Sequence, residues 1–126
     1  MPSTEAPSSP AKQVALIAAL QQILPRARLV IDPLRRLAYG TDASFYRMVP
    51  AAVAIVDTEA ELRAVLSTCR ALDAPLTFRA AGTSLSGQAI SDSVLVLIGE
   101  GWATADVRDG GTAIRLGPGV IGAHAN

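Results

Sequence analysis

The residues best suited to chemistry in this chain lie in the run Leu76-Thr77-Phe78-Arg79-Ala80-Ala81-Gly82-Thr83-Ser84-Leu85-Ser86-Gly87-Gln88-Ala89. A short β-prone stretch feeds a loop of small residues that includes two glycines and three hydroxyls. Glycine tolerates positive φ, and Ala, Ser and Thr leave room for oxygen atoms within reach of consecutive main-chain amides. Thr83, Ser84 and Ser86 can donate to phosphate oxygens without adding charge. Such a loop suits the diphosphate of a nucleotide.

The elements that must position this loop follow from apolar spacing. Val14, Ile17, Leu20 and Ile23/Leu24 recur at helical intervals, and Pro25 ends that helix. Asp32-Pro33 opens a second short helical turn in which Leu34 and Leu37 are expected to pack inward. Tyr39-Gly40-Thr41-Asp42-Ala43-Ser44-Phe45-Tyr46 reads as a polar and aromatic connector, with turn chemistry at Gly40 and Asp42 and a loop-capping role for Asp42. Ala51 to Val56 is continuously apolar, which suits a strand buried on both faces.

Thr58 and Glu61 have capping-box spacing and predict a helix from about Glu59 to Leu72. Its inward stripe is Leu62, Val65, Leu66, Cys69 and Leu72, with Glu59 and Arg63 paired outside. Asp73-Ala74-Pro75 stops the helix, and Leu76 to Arg79 is the next strand. This β-α-β unit implies a parallel pair with a right-handed crossover. The small-residue loop then falls beyond the carboxyl end of the second strand, where open α/β sheets place ligands. Ser93 to Ile98 reads as a third strand. Ala103 to Arg108 and Thr112 to Leu116 read as a hairpin around Asp109-Gly110-Gly111. Gly117-Pro118-Gly119 breaks the strand, and Val120 onwards resembles a helix start with no room to finish. The fold class is α+β: a β-α-β unit of parallel strands followed by an antiparallel hairpin, in a domain expected to be incomplete at its C-terminus. Residues 1–10 are expected to form a disordered tail, 11–50 a helical segment and connector, and 51–126 the binding domain.

Composition narrows the function classes. The 126 residues suffice for one domain, and half of them are hydrophobic while only 4% are aromatic, so the core is aliphatic. Eleven basic and eleven acidic residues cancel and are spread along the chain, which leaves no basic stripe for nucleic acid. A single cysteine, Cys69, rules out an internal disulfide or a multi-cysteine metal site and suits a small core residue. The lone His124 leaves no histidine pair for a metal, and Trp102 reads as a hydrophobic plug. Val14 to Leu20 is only seven residues long, Lys12 is the sole positive charge before it and Gln21-Gln22 follow without a clear cleavage site, which argues against a secretory h-region. No apolar run approaches the ~20 residues of a membrane span. A cytoplasmic protein, or one peripheral at the inner membrane, is expected.

Three kinds of phosphate loop compete. Gly82 and Gly87 have P-loop spacing, but Gln88 and Ala89 stand where Lys and Ser/Thr are needed, and Lys12 is the only lysine. The dinucleotide G-x-G-x-x-G fingerprint is absent. Arg79 to Gln88 instead resembles the pyrophosphate loop of the FAD-linked oxidases of the vanillyl-alcohol oxidase type, which share the PCMH-type FAD-binding domain. The likeness runs from about Leu37 to Asn126 and includes the Pro50 to Val56 strand, the Glu61 helix and Gly117-Pro118-Gly119-Val120. Tyr39 to Tyr46, with Ala80-Ala81, is most similar to one subgroup: D-2-hydroxy-acid dehydrogenases of D-lactate or D-2-hydroxyglutarate type, which carry a C-terminal iron–sulfur domain.

The resemblance implies that Arg79, Ala80, Ala81, Gly82, Thr83, Ser84, Ser86, Gly87, Gln88 and Gly119 bind FAD. Relatives with covalent flavin have histidine at the position of Thr83, so FAD is expected to be noncovalent here. An iron–sulfur cluster would belong to a region beyond this chain. The implied reaction oxidises a small 2-hydroxy acid and passes electrons to an acceptor other than a nicotinamide. No residue here is marked as catalytic, and the chain alone is expected to turn over little substrate. Two other readings remain: a noncatalytic α/β module that binds a phosphate-bearing ligand or a partner, and a plain turn between strands. Arg79 could meet a phosphate or pair with an acidic neighbour.

Overall fold

Val94-Leu95-Val96-Leu97-Ile98 is an unbroken run of branched aliphatic residues, and the fold places it between two other strands. In the computed structural model, which describes residues 9–125, a four-stranded sheet has the order β1-β2-β4-β3. Its strands are β1 (Leu29–Val30), β2 (Ala52–Val56), β3 (Leu76–Arg79) and β4 (Val94–Ile98). Helices α1 (Pro10–Gln21), α2 (Pro33–Ala38) and α3 (Glu59–Ala71) connect them. A separate antiparallel pair, β5 (Ala105–Arg108) and β6 (Ala113–Leu116), follows and turns at Asp109–Gly111.

The two strands of the β-α-β unit do not pair with each other as the sequence implied. β4 enters between them and is parallel to both, matching Ala52 with Val94 on one side and Leu76 with Val94 on the other. The physical reason is burial. β4 buries Val94, Leu95 and Val96 completely, whereas β3 carries an exposed Phe78 and the charged Arg79 and is better placed at the edge. The two-residue strand β1, antiparallel to β2, had no sequence signal of its own.

Alternation along the strands divides the core. Leu29, Ala52, Ala54, Val56, Val94 and Val96 face Leu16, Leu20 and Leu24 near α1 and Val65 and Cys69 on α3. Val30, Val53 and Leu95 face the other way, against Tyr39, Ile55 and Leu97. Each fully buried aliphatic side chain contributes about 1.5–3 kcal/mol.

Caps match the sequence closely. Thr58 Oγ1 accepts from Glu61 N at 3.2 Å, opening α3, and Asp32 Oδ1 accepts from Arg35 N at 2.9 Å, opening α2. α1 begins inside the expected tail: Ser9 is its N-cap and Pro10 its first residue, while residues 1–8 of that tail lie outside the described residues. Its inward residues are Leu16 and Leu20, joined past its end by Leu24, and Val14 is 68% exposed. Leu34, expected inside, is 77% exposed, and Leu37 is exposed too, because α2 lasts six residues and buries none of them. Leu62 and Leu72 line the core from α3 as expected, but Leu66 lies exposed at its margin. The helix expected after Val120 is a single 3₁₀ turn at Gly122–His124.

Candidate functional site

β3 delivers the chain to the carboxyl edge of the sheet, and the loop that follows turns twice through left-handed conformations. Gly82 has φ 69° and Gly87 has φ 73°. A Cβ at Gly82 would fall on the Arg79 guanidinium, and one at Gly87 would come within 2.8 Å of the Tyr46 ring. Both positions therefore need glycine for conformation and for space. Ser84 Oγ accepts from Ser86 N and from Gln88 N, each at 3.2 Å, and shapes the second half of the loop. Among the described residues, no acceptor takes the N–H groups of Gly82, Thr83, Ser84, Leu85 or Gly87. Four consecutive unspent donors on a small-residue turn form a cradle for an anion.

The connector from Tyr39 to Tyr46 underlies this loop. It is closed on itself by an antiparallel bridge between Thr41 and Arg47 and by Met48 N donating to Gly40 O at 3.0 Å. Arg79 donates from one nitrogen to the carbonyls of Thr41 at 2.8 Å, Ala89 at 3.3 Å and Tyr39 at 3.5 Å, and its guanidinium lies 5.8 Å from the Tyr39 ring centre. It thus meets carbonyls rather than an acidic neighbour. Asp42 accepts from Ser44 N at 2.9 Å and from Ala89 N at 3.3 Å, so its capping role extends beyond its own turn. Hydrogen bonds from Ser44, chiefly, hold the Asp42 carboxyl below the usual carboxylate range.

Nine of the ten expected binding residues lie within the ten-residue stretch from Arg79 to Gln88: Arg79, Ala80, Ala81, Gly82, Thr83, Ser84, Ser86, Gly87 and Gln88. The side chains of Thr83, Ser86 and Gln88 are exposed, and Leu85 between them is 79% exposed. Gly119 belongs to a different cluster, where its N–H donates to Trp102 O at 3.1 Å. Trp102 is half-buried, and its indole N–H has no partner among the described residues. Sequence reasoning missed Tyr46 as the wall against Gly87 and Ala89 as the anchored exit of the loop.

A second polar cluster lies at the carboxyl end of β2. Arg28 grips Glu61 with two bonds of 2.6 Å and reaches Asp57 at 3.2 Å, while Glu61 also accepts from Asp57 N at 2.8 Å. The Arg28 guanidinium, with that N–H, lowers the Glu61 pKa to about 2. Cys69 is buried and free, and burial pushes its thiol up. Among the described residues, no group of three or more His, Cys, Asp or Glu is arranged to hold a metal ion.

Residues 50–126 match the family model described as the FAD binding domain. No curated protein matches the chain. Among solved structures, p-cresol methylhydroxylase with substrate bound superposes with a TM-score of 0.71 at 12% identity. The overlap covers 89% of this chain and 23% of that one. A variant and the wild type of BBE-like 1 from Physcomitrella patens superpose with TM-scores of 0.55 and 0.54 at 20% identity. Each covers 71% of this chain and 21% of its own. The chain thus spans less than a quarter of the solved chains it is similar to. The family match takes in β2, β4, the glycine loop and the hairpin, and the chain belongs to the FAD binding domain family, in the fold of p-cresol methylhydroxylase.

Proposed function

We propose that this chain anchors the pyrophosphate of a noncovalent FAD on the loop from Arg79 to Gln88, in an enzyme that oxidises a D-2-hydroxy acid. One observation carries the reading: the amides of Gly82, Thr83, Ser84 and Leu85 are unspent on a turn that only glycine and small residues can form. The residues present fit a diphosphate. From Arg79 to Ile90 there is no acidic residue, and the Arg79 guanidinium lies beneath Gly82 to add positive charge from below. Fixed N–H dipoles do the neutralising, so no lysine is needed.

Bound FAD would supply the hydride acceptor; the chain's own residues bind and orient it. Threonine at position 83 offers no nucleophilic nitrogen for a flavin link, and His124 is exposed on the last 3₁₀ turn. The substrate class rests on the likeness of Tyr39 to Tyr46 and Ala80-Ala81 to D-2-hydroxy-acid dehydrogenases. The same reading sends the electrons to an acceptor other than a nicotinamide and leaves any iron–sulfur cluster to residues outside this chain. It places the protein in the cytoplasm or peripheral to the inner membrane; among the described residues no helix is long and apolar enough to cross a membrane.

The test is direct. The purified protein is expected to be yellow and to release FAD on heating, and Thr83→Asp should weaken FAD binding about tenfold or more, a loss of roughly 1.4 kcal/mol. Its thermal midpoint without flavin should stay unchanged, because Thr83 is exposed. Undiminished FAD binding by that variant would falsify the loop assignment. A colourless protein that binds other phosphate ligands would point to a noncatalytic module.

A further inference from the structure

The exit of the loop is gripped from two sides by side chains that belong to other segments. Ala89 is buried, with 9% of its surface exposed, and both of its main-chain polar groups are claimed by charged residues. Its carbonyl accepts from Arg79, at the loop entrance, and its N–H donates to Asp42, 47 positions earlier. Arg79 also holds the Thr41 carbonyl, so the connector, the entrance and the exit meet at one point. Tyr46, on the same connector, closes against Gly87.

We propose that Asp42 is a positioning residue of the flavin site: it fixes the loop exit to the connector, so that the amides from Gly82 to Leu85 are set before a diphosphate arrives. This rests on the flavin reading above. A loop of eleven residues from Arg79 to Ala89 has many conformations, and only a few present consecutive N–H groups to one anion. Pinning both ends lowers the ordering cost that binding would otherwise meet. Only a carboxylate can perform both tasks of Asp42. One oxygen accepts from Ser44 N within the connector turn, and the other accepts from Ala89 N across it. An asparagine has one oxygen for two donors, and its NH₂ would oppose the remaining N–H.

The test compares wild type, Asp42→Asn and Asp42→Ala by titration with FAD and with riboflavin, which carries no phosphate, alongside thermal unfolding without flavin. Asp42→Asn should bind FAD about tenfold more weakly while riboflavin binding changes less than about twofold, because only a flavin that carries phosphate uses the pinned amides. Its midpoint without flavin should fall by no more than about 3 °C, and Asp42→Ala should bind FAD no better than Asp42→Asn. The proposal is overturned by Asp42→Asn binding FAD as wild type does. It is equally overturned by parallel losses of FAD and riboflavin binding with a collapsed midpoint, since that marks a purely structural role. A wild-type protein that binds no FAD sinks the flavin reading itself, a result distinct from either of these.

Discussion

Two segments leave the carboxyl edge of the same parallel sheet, and they are finished in opposite ways. After β2 the chain turns at once into α3, and its polar groups are consumed. Asp57 N donates to Glu61, Glu61 N donates to Thr58, and Gly99 N donates to Val56 O at 2.8 Å. Gly101 packs so closely on Asp57 that a Cβ there would overlap its carbonyl. Two carboxylates face Arg28 and would repel an anion. After β3 the chain takes a long route in which four consecutive amides are left unspent and no acidic residue occurs before Asp92. Strand topology offers the same edge to both segments. What distinguishes a binding loop from a closed turn is which main-chain donors the surrounding side chains leave free.

The largest effect should come from the strand on which both segments depend. Leu95 is fully buried in the centre of β4, against Val30, Val53 and Tyr39, the residue whose carbonyl Arg79 reaches. Leu95→Ala should cost about 3 kcal/mol in urea-induced unfolding and weaken both ends of the edge together. A cost below about 1 kcal/mol would show that β4 is not the strand that carries the sheet.

Glu61→Gln should separate the two segments. The folded-state pKa of Glu61 is lowered from 4.5 to about 2, so the native state favours its charged form. That contribution is complete above pH 4.5 and is lost as pH falls through about 2. The variant should therefore unfold several degrees below wild type at pH 7, and the gap should close near pH 2. FAD affinity at pH 7 should remain within about twofold of wild type, because the Arg28 cluster does not touch the glycine loop. A gap in thermal midpoint that persists unchanged at low pH would show that the Glu61 charge is not what seals the turn.

Local order was legible in the sequence, and long-range order was not. Thr58 with Glu61, Asp32 before Pro33, and the apolar runs of β2 and β4 carry their signals within a few residues, and each forms where those signals lie. The loop could be read because Gly82, Gly87 and the hydroxyls between them restrict what backbone can form there. The insertion of β4 between β2 and β3 could not, since it depends on comparing the burial of strands far apart in sequence. Arg79 gave no signal for its partners, because they are main-chain carbonyls, which every residue type carries. The hairpin was legible in its turn and pairing, yet every residue of β5 and β6 is exposed, with Val107 67% exposed, so no core could be read from its alternation.

The smallest effect should fall on the other acid–arginine pair of α3. Glu59 and Arg63 meet at 2.6 Å, as close as Glu61 and Arg28, and both acids belong to the first turn of the same helix. The difference is solvent: the side chains of Glu59 and Arg63 are 68% and 76% exposed, whereas those of Glu61 and Arg28 are 20% and 27% exposed. Water and salt screen the exposed pair, and holding two long side chains together cancels much of what remains. Arg63→Gln should therefore shift the thermal midpoint by less than about 1 °C at low salt and by nothing measurable at high salt. A shift as large as that of Glu61→Gln would mean that proximity, not burial, sets the strength of these pairs. The contrast between the sealed turn and the open loop would then need another cause than the partly buried Arg28 cluster.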